Sequence, residues 1–299
     1  MKNRTHKITP KRIYLRDKIW YIVSPFLVFM IAKTFFELLL SMLVSAIPVR
    51  DFSVWLVTHS YQMSAVINAV ASIIAVRFVL NEFLIEVAVL GEVDIDLSSF
   101  KQYTRFIRNG FWGYKDVSTD STPNKIKKLI LVAMLVISTT FTFSIFVRLI
   151  PVESAKYDNV EQIQYSVPIW LGLILYGVVS PMVEEMVFRG VIYNRVKKFY
   201  PVWKSVLVSA VLFGVFHGNI LQFIYGVIMG ILIALCYEWM GCFGAPVIYH
   251  AAANIFAFMW TSITNGSNIY VSWGNFMISL LISGLILGIL WNVKNKLQA

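Results

Sequence analysis

The chain is organised around the stretch Pro181-Met182-Val183-Glu184-Glu185-Met186-Val187-Phe188-Arg189-Gly190. Two adjacent carboxylates close a long apolar run, and a guanidinium follows one helical turn later. Charged side chains at such a depth are costly and usually mark function. Neighbouring residues point about 100° apart around a helix, so Glu184 and Glu185 cannot both face one point. Arg189 lies at i+4 from Glu185 and can pair with it, which leaves Glu184 available as a base.

The composition indicates a polytopic membrane protein. The chain has 299 residues, of which 58% are hydrophobic and 14% charged, and its mean hydropathy is +0.70. Soluble domains carry roughly 25% charged residues, which excludes that class. The net charge of +10 does not indicate nucleic-acid binding, because the basic residues cluster between apolar runs, as in cytoplasmic loops. The predicted partners of these loops are the lipid bilayer and its anionic lipids, with no nucleic acid.

The apolar runs predict an all-α bundle of about eight transmembrane helices. The predicted spans are residues 19–47, 60–80, 129–150, 168–185, 206–220, 221–239, 247–264 and 276–293. Clusters of Lys and Arg at alternate ends of these spans place both termini on the cytoplasmic side by the positive-inside rule. We therefore expect a multi-pass protein of the cell membrane, in a bacterial plasma membrane.

Three regions are predicted along the chain. Residues 1–18 carry seven Lys and Arg residues and form a cytoplasmic basic arm. Residues 19–160 form an N-terminal transmembrane region, and its polar segment 81–125 has the apolar spacing of an amphipathic helix in the membrane interface. Residues 161–299 form a transmembrane core that contains the carboxylate pair.

Two later stretches carry groups that can act with the carboxylates, namely Phe213-Gly214-Val215-Phe216-His217 and His250-Ala251-Ala252-Ala253-Asn254. A lone histidine such as His217 is often only a packed residue bonded to a carbonyl. His250 and Asn254 are the stronger signal, because their i, i+4 spacing places both on one helix face. The small alanines between them allow a helix or a substrate backbone to approach closely. Imidazole and amide at this spacing can orient a water, bind a metal or polarise a carbonyl.

The three motifs together are far more specific than any one of them. Glu-Glu-x-x-x-Arg, Phe-x-x-x-His and His-x-x-x-Asn on successive spans resemble the CPBP family. This family comprises the CAAX prenyl endopeptidases and bacteriocin-processing intramembrane proteases, also called Abi proteins. The resemblance covers about residues 165–265, makes residues 161–299 the expected catalytic core, and leaves residues 1–160 unmatched.

The resemblance implies an intramembrane endopeptidase whose cavity opens to the cytosol. The implied substrate is a membrane-associated protein or peptide, such as a prenylated CAAX-like protein, a leader peptide or a membrane-anchored regulator. The implied site residues are Glu184, Glu185, Arg189, His217, His250 and Asn254. In this family pattern Glu184 activates a water, and His217 helps to hold that water or a metal. His250 and Asn254 stabilise the oxyanion or complete the metal site, while the paired Glu185 supports the geometry.

Two mechanisms are compatible with these groups. Glu184, His217 and His250 with an open fourth position would form a catalytic site for a divalent metal, with zinc as the candidate. A glutamate base with imidazole and amide donors would work without a metal.

Two functions without proteolysis are also compatible with the sequence. One is a scaffold or regulator that binds a partner membrane protein such as a sensor kinase. The complete motif set disfavours that function. The other is a transporter with a proton relay, which the lack of an internal repeat disfavours.

The predicted topology contains one inconsistency. The turn at residues 241–246 is predicted at the inner face of the membrane. Counted from that face at about 1.5 Å per residue, His250 is shallow whereas His217 is deep. Either the helix of His217 protrudes into the cytosol, or the helix of Glu184 breaks near Pro181.

Overall fold

A computed structural model describes residues 15–48, 50–91, 122–150, 155–264 and 267–298. All regular structure in these ranges is helical, which confirms the all-α prediction. The helices are α1 Leu15–Ser45, α2 Arg50–Thr58, α3 Ser60–Val76, α4 Leu80–Gly91, α5 Thr122–Leu149, α6 Ala155–Tyr165, α7 Ile169–Lys197, α8 Val202–Phe216, α9 Ile220–Met240, α10 Gly244–Ile263 and α11 Trp273–Gln298.

A polytopic membrane bundle is confirmed, whereas the predicted number of eight spans is not. In the described ranges, α1, α5, α7, α9 and α11 are long and apolar enough to cross a membrane. A sixth span is possible if α3 and the start of α4 form one span, bent by 59°. The 15-residue α8 is only about 22 Å long and is therefore shorter than the roughly 30 Å hydrocarbon core. The number eight and the orientation stay predictions.

Parts of two predicted regions lie outside the described residues. The basic arm falls there up to residue 14, and so do residues 92–121 of the segment predicted to lie in the interface. The three predicted regions of the chain stay predictions.

Helix α7 is longer than its predicted span. It continues to Lys197, and two π-helical segments, Leu175–Val179 and Met186–Tyr193, flank the α-helical turn Ser180–Glu185. Pro181 lies at the start of that turn, directly after the first π-helical segment, where a wider helix can accommodate a residue without an N–H. Glu184 therefore lies near the middle of α7. The prediction that the carboxylate pair lies at the inner end of its span is wrong, because the helix continues to Lys197.

The greater length of α7 helps to explain how Glu184, His217 and His250 reach the same depth, although the predicted topology placed His250 shallow and His217 deep. Glu184 lies thirteen residues before Lys197, about 20 Å along the helix. His217, at the end of α8, lies at a similar distance from the same end of the bundle. The turn before α10 is not at the surface, because Phe243 is 1% exposed and packs in a cluster with residues of α4, α7, α8 and α9. α10 therefore begins inside the bundle, and His250 reaches the same depth.

Helices α8 and α9 form a hairpin that packs through small residues. A Cβ added at Gly214 would lie 2.9 Å from the carbonyl oxygen of Phe223, and one at Gly230 would lie 2.9 Å from Cα of Ala210. A Cβ at Gly226 would lie 3.3 Å from Cα of Gly214. Both helices thus present small residues at i, i+4, a pattern that lets membrane helices approach closely.

Buried ion pairs attach α1 and α4 to the end of α7. Arg195 is 4% exposed, pairs with Glu82 and Glu86, and donates a hydrogen bond to the carbonyl of Tyr21 at 2.6 Å. Glu86, 1% exposed, also pairs with Lys198 at 2.7 Å. Removal of one partner from such a set leaves an uncompensated buried charge. The cluster therefore fixes the N-terminal helices against the helix that carries the carboxylate pair.

Candidate active site

The six predicted site residues lie together in two layers. A cavity of about 360 Å³ is lined by four of them, Glu184, His217, His250 and Asn254. The other two, Glu185 and Arg189, are 0% exposed and lie behind it. The three motifs, which lie on separate helices, thus converge on one cavity.

Glu185 connects the two layers. Its Oε1 accepts hydrogen bonds from Nη1 of Arg189 and from Nδ1 of His250, both at 2.8 Å. The predicted i, i+4 pair is therefore formed, and the two charges compensate each other away from water. An ionised carboxylate only accepts hydrogen bonds, so Nδ1 of His250 is the donor. In a neutral His250 ring, the lone pair is then on Nε2, which faces Glu184.

Arg189 is held from three helices. Its Nη2 donates a hydrogen bond to the carbonyl of Gly230 at 2.8 Å. Its guanidinium lies over the ring of Phe213, with Cζ 4.8 Å from the ring centroid. The same ring meets His217 and His250 edge-on, at centroid distances of 4.9 and 5.5 Å. Phe213 thus supports both imidazoles and the guanidinium, which explains its place in the motif.

Glu184 lies on the cavity side of α7. Its Oε1 accepts a hydrogen bond from the hydroxyl of Ser180, one turn earlier. Its Oε2 is buried without a hydrogen-bond partner among the described residues and lies 3.8 Å from Nε2 of His250. That distance is too long for a direct hydrogen bond, and a water that bonds to both atoms would lie beside the line that joins them. Ser180 was not predicted as a site residue, although its i−4 position relative to Glu184 is visible in the sequence.

His217 and Asn254 are each oriented by a backbone carbonyl. Nδ1 of His217 lies 2.8 Å from the carbonyl oxygen of Phe213, so Nδ1 is the donor and Nε2 is left unprotonated in the neutral ring. Gly218 follows with φ +71°, a conformation that glycine adopts readily, and ends the helix. Nδ2 of Asn254 donates to the carbonyl of Tyr176 at 3.0 Å, inside the first π-helical segment of α7.

The predicted metal ligands do not form a complete metal site in this arrangement. Over the ranges that the structure describes, no group of three or more His, Cys, Asp or Glu side chains is placed to hold a metal ion. His250 uses Nδ1 for Glu185, and Glu184 uses one oxygen for Ser180. The divalent metal, with zinc as the candidate, stays a prediction. Glutamate, imidazole and amide groups are residue types that enzymes use for acid–base and electrostatic catalysis.

The wall above these polar groups is largely aromatic. It includes Tyr157 and Tyr165 of α6, Tyr176 of α7 and Tyr225 of α9. Burial raises the pKa of Tyr157 and of Tyr165, so both phenols stay neutral. This wall was not predicted, because residues 151–167 lie between two predicted spans and no helix was predicted there.

Two comparisons with known proteins match the chain. The family model described as "Type II CAAX prenyl endopeptidase Rce1-like" matches residues 166–256, a segment that contains all six predicted site residues. A Bacillus subtilis (strain 168) protein named "Putative membrane peptidase YdiL" is 25% identical over 137 residues, which cover 45% of this chain and 54% of that protein. The chain thus spans about half the length of this curated relative. No solved structure matches the chain.

Proposed function

We propose that this chain, a multi-pass membrane protein of the CPBP family, is an intramembrane endopeptidase. Its substrate in this proposal is a membrane-associated protein or peptide. The observation that carries the proposal is the environment of Glu184. A buried carboxylate oxygen without a partner among the described residues faces an imidazole nitrogen across 3.8 Å, in a cavity that an amide and a second imidazole also line.

In the proposed reaction, a water lies between Oε2 of Glu184 and Nε2 of His250. Glu184 removes one proton from this water as the oxygen attacks the carbonyl carbon of the scissile bond. The unprotonated Nε2 atom of His250 accepts a hydrogen bond from the other hydrogen of this water, and His217 lines the same cavity. The C–N bond then breaks, and Glu184 transfers its proton to the leaving amine.

The tetrahedral intermediate carries a negative oxygen that needs a donor. Nδ2 of Asn254 has two hydrogens and uses one for the carbonyl of Tyr176. The second hydrogen is available for the oxyanion. The hydrogen bond to Tyr176 holds the amide in place before the reaction begins, which is the condition for electrostatic catalysis.

Glu184→Gln tests the proposed base. The amide keeps the shape of the side chain but cannot take the proton, so we expect the cleavage rate to fall by about 10²–10⁴-fold, the contribution of a positioned base. The assay uses purified protein in lipid vesicles, a library of quenched fluorescent peptides, and mass spectrometry of the products. The matched control is Glu37→Gln, the same change at a half-exposed carboxylate of α1 that does not line the cavity, which should keep the wild-type rate.

Two outcomes would contradict the proposal. One is a wild-type rate in Glu184→Gln, and the other is the absence of any cleaved peptide with the wild-type protein. The metal content of the purified protein, together with rates with and without a chelator, tests the zinc prediction separately.

A further inference from the structure

The two ends of the bundle differ in charge. One end carries nine basic residues, namely Arg16, Lys18, Arg77, Lys127, Lys128, Arg195, Lys197, Lys198 and Lys204, and four acidic ones, namely Asp17, Glu82, Glu86 and Glu238, so its described residues have an excess of five positive charges. The other end has equal numbers of acidic and basic residues in the described ranges, namely Asp51, Asp158, Glu161, Arg50, Arg148 and Lys156. Lys and Arg are enriched in short cytoplasmic loops. The positive-inside rule therefore predicts that the first end is cytoplasmic and that the second lies outside.

Most of the described lining of the cavity lies in the half of each helix that is farther from the basic end, although Ser72 of α3, Ile233 of α9 and His250 of α10 lie in the nearer half. On α5, which starts at the basic end, the lining begins only at Thr140 and extends to Arg148. On α7, which ends at the basic end, the lining stops at Glu184. On α10 it runs from His250 up to Thr261. Glu184 is thus the last residue of α7 that lines the cavity, and most of the cavity wall extends from its level towards the outer end.

The short helix α8 makes room for this cavity. Because α8 ends after about 22 Å, the turn at Gly218 and Asn219 lies within the thickness of the membrane. The side chains of Asn219 and Gln222 are buried there and hydrogen-bond to each other. Non-helical backbone at that depth is tolerated where it is buried in protein or lines a water-filled space. Between this turn and the outer end of the bundle, the cavity is bordered by α6.

Helix α6 forms the rim of the cavity at the outer end. It contributes five lining residues, Tyr157, Val160, Glu161, Gln164 and Tyr165. It is fixed to α3 by hydrogen bonds from Tyr61 to Gln162 and from Gln62 to the carbonyl of Ser166. The rim therefore consists of phenol, amide and carboxyl groups, which can bind the backbone of an extended peptide.

We infer that the cavity is reached from the extracytoplasmic side of the membrane. Its substrate is then a peptide segment exposed on that side, such as an exported leader or the outer stalk of a membrane-anchored protein. The identity of the substrate rests on the proposed function, whereas the direction of access does not. The inference reverses the cytosolic opening that the family resemblance implies, and it disfavours cytosolic prenylated tails as substrates.

The direction of access is tested by labelling single cysteines in the full chain. Both native cysteines, Cys236 and Cys242, are first replaced by alanine. Ser144→Cys then places a thiol in the cavity wall, and Lys127→Cys places one near the basic end of the same helix, α5. A membrane-impermeant charged maleimide is added to intact cells and, separately, to sealed inverted vesicles. We expect Ser144→Cys to react only in intact cells and Lys127→Cys to react only in inverted vesicles.

A third variant, Gln164→Cys on α6, should behave like Ser144→Cys. The inference is overturned if both cavity variants react only in inverted vesicles, or if neither reacts from either side. Labelling does not depend on cleavage, so the same pattern is expected when Glu184→Gln is added to each variant. A protein that cuts no peptide but shows this labelling pattern would refute the proposed function and leave the direction of access intact.

A second experiment on the direction of access uses a peptide from the quenched fluorescent library that the wild-type protein cleaves. The same quenched peptide is presented outside right-side-out vesicles and outside inverted vesicles that contain equal amounts of protein. Cleavage is expected only with right-side-out vesicles. Cleavage only with inverted vesicles would overturn the inference while supporting the proposed peptidase activity.

Discussion

Gly230→Ala is the sharpest structural test of how the site is held. Gly230 lies where α9 meets α8, and its carbonyl accepts a hydrogen bond from Arg189. An added Cβ would lie 2.9 Å from Cα of Ala210, 3.0 Å from Cβ of Ala210 and 3.3 Å from Nη2 of Arg189. The first contact is with backbone, which cannot rotate away. Either the two helices separate or the guanidinium moves.

Separation of the helices should lower the stability, and movement of the guanidinium should lower the cleavage rate. Overpacking a close interface costs about 1–3 kcal/mol, and alanine returns up to about 1 kcal/mol of helix propensity relative to glycine. We therefore expect a net loss of stability of about 1–2 kcal/mol. Because Arg189 positions Glu185, and Glu185 positions His250, a shift of the guanidinium also displaces the imidazole. A misplacement of about 1 Å can reduce a rate by roughly 10²-fold.

The assay measures two quantities on each purified variant. Unfolding in detergent gives the stability, and the peptide-cleavage rate per folded molecule gives the activity. The matched control is Gly284→Ala on α11, where an added Cβ would meet nothing within 4 Å, and this variant should be as stable as the wild type or slightly more stable. Adding Ala210→Gly to Gly230→Ala should restore only part of the loss, because the contact with the Cα atom remains.

If Gly230→Ala is as stable and as active as Gly284→Ala, then neither the close packing of α8 and α9 at Gly230 nor the role of Gly230 in positioning Arg189 is correct. If stability falls while the rate per folded molecule is unchanged, then the close packing is correct but the link from Gly230 through Arg189 to the site is wrong.

Three further variants probe other contacts. Ser180→Ala removes the hydrogen bond to Glu184, and we expect the cleavage rate to fall by about 10- to 150-fold, since a bond to a charged group contributes about 1.5–3 kcal/mol; a wild-type rate would exclude this role. Arg189→Met leaves Glu185 buried without its cation, so unfolding in detergent should show a loss of about 3–5 kcal/mol. Glu86→Gln weakens the ion pairs that hold the N-terminal helices, so thermal unfolding should occur at lower temperature while the rate per folded molecule stays unchanged.

The local geometry of the site was predictable because it follows from helical periodicity. The spacing of Glu185 and Arg189, and that of His250 and Asn254, places each pair on one face whatever surrounds the helix. The end of α7 was not predictable from hydropathy. Arg189, Asn194 and Arg195 lower the local hydropathy, so the predicted span stops at residue 185. Their hydrogen-bond partners belong in part to other helices, and a window of sequence cannot contain such partners.

The shape of the cavity depended on contacts between distant segments. The aromatic wall exists because α6 docks against α3, through residues about one hundred positions apart. The close approach of α8 and α9 did have a signal, since Gly226 and Gly230 form a Gly-x-x-x-Gly pattern typical of membrane helix pairs. That pattern predicts close packing, but not that a carbonyl at the contact would accept a hydrogen bond from the site arginine.

The two adjacent glutamates should respond in opposite ways to loss of charge. Glu185 accepts two short hydrogen bonds from cationic or polar partners, so Glu185→Gln should destabilise the protein by about 1.5–3 kcal/mol. Glu184 has one buried oxygen with no hydrogen-bond partner in the described part of the chain, and a buried charge without full compensation is costly. Glu184→Gln should therefore be at least as stable as the wild type, as is common where activity requires a strained group. Denaturant unfolding of both variants decides the point. Equal destabilisation would mean that Glu184 is a structural anchor like its neighbour, and the proposed base would have to be sought elsewhere in the cavity.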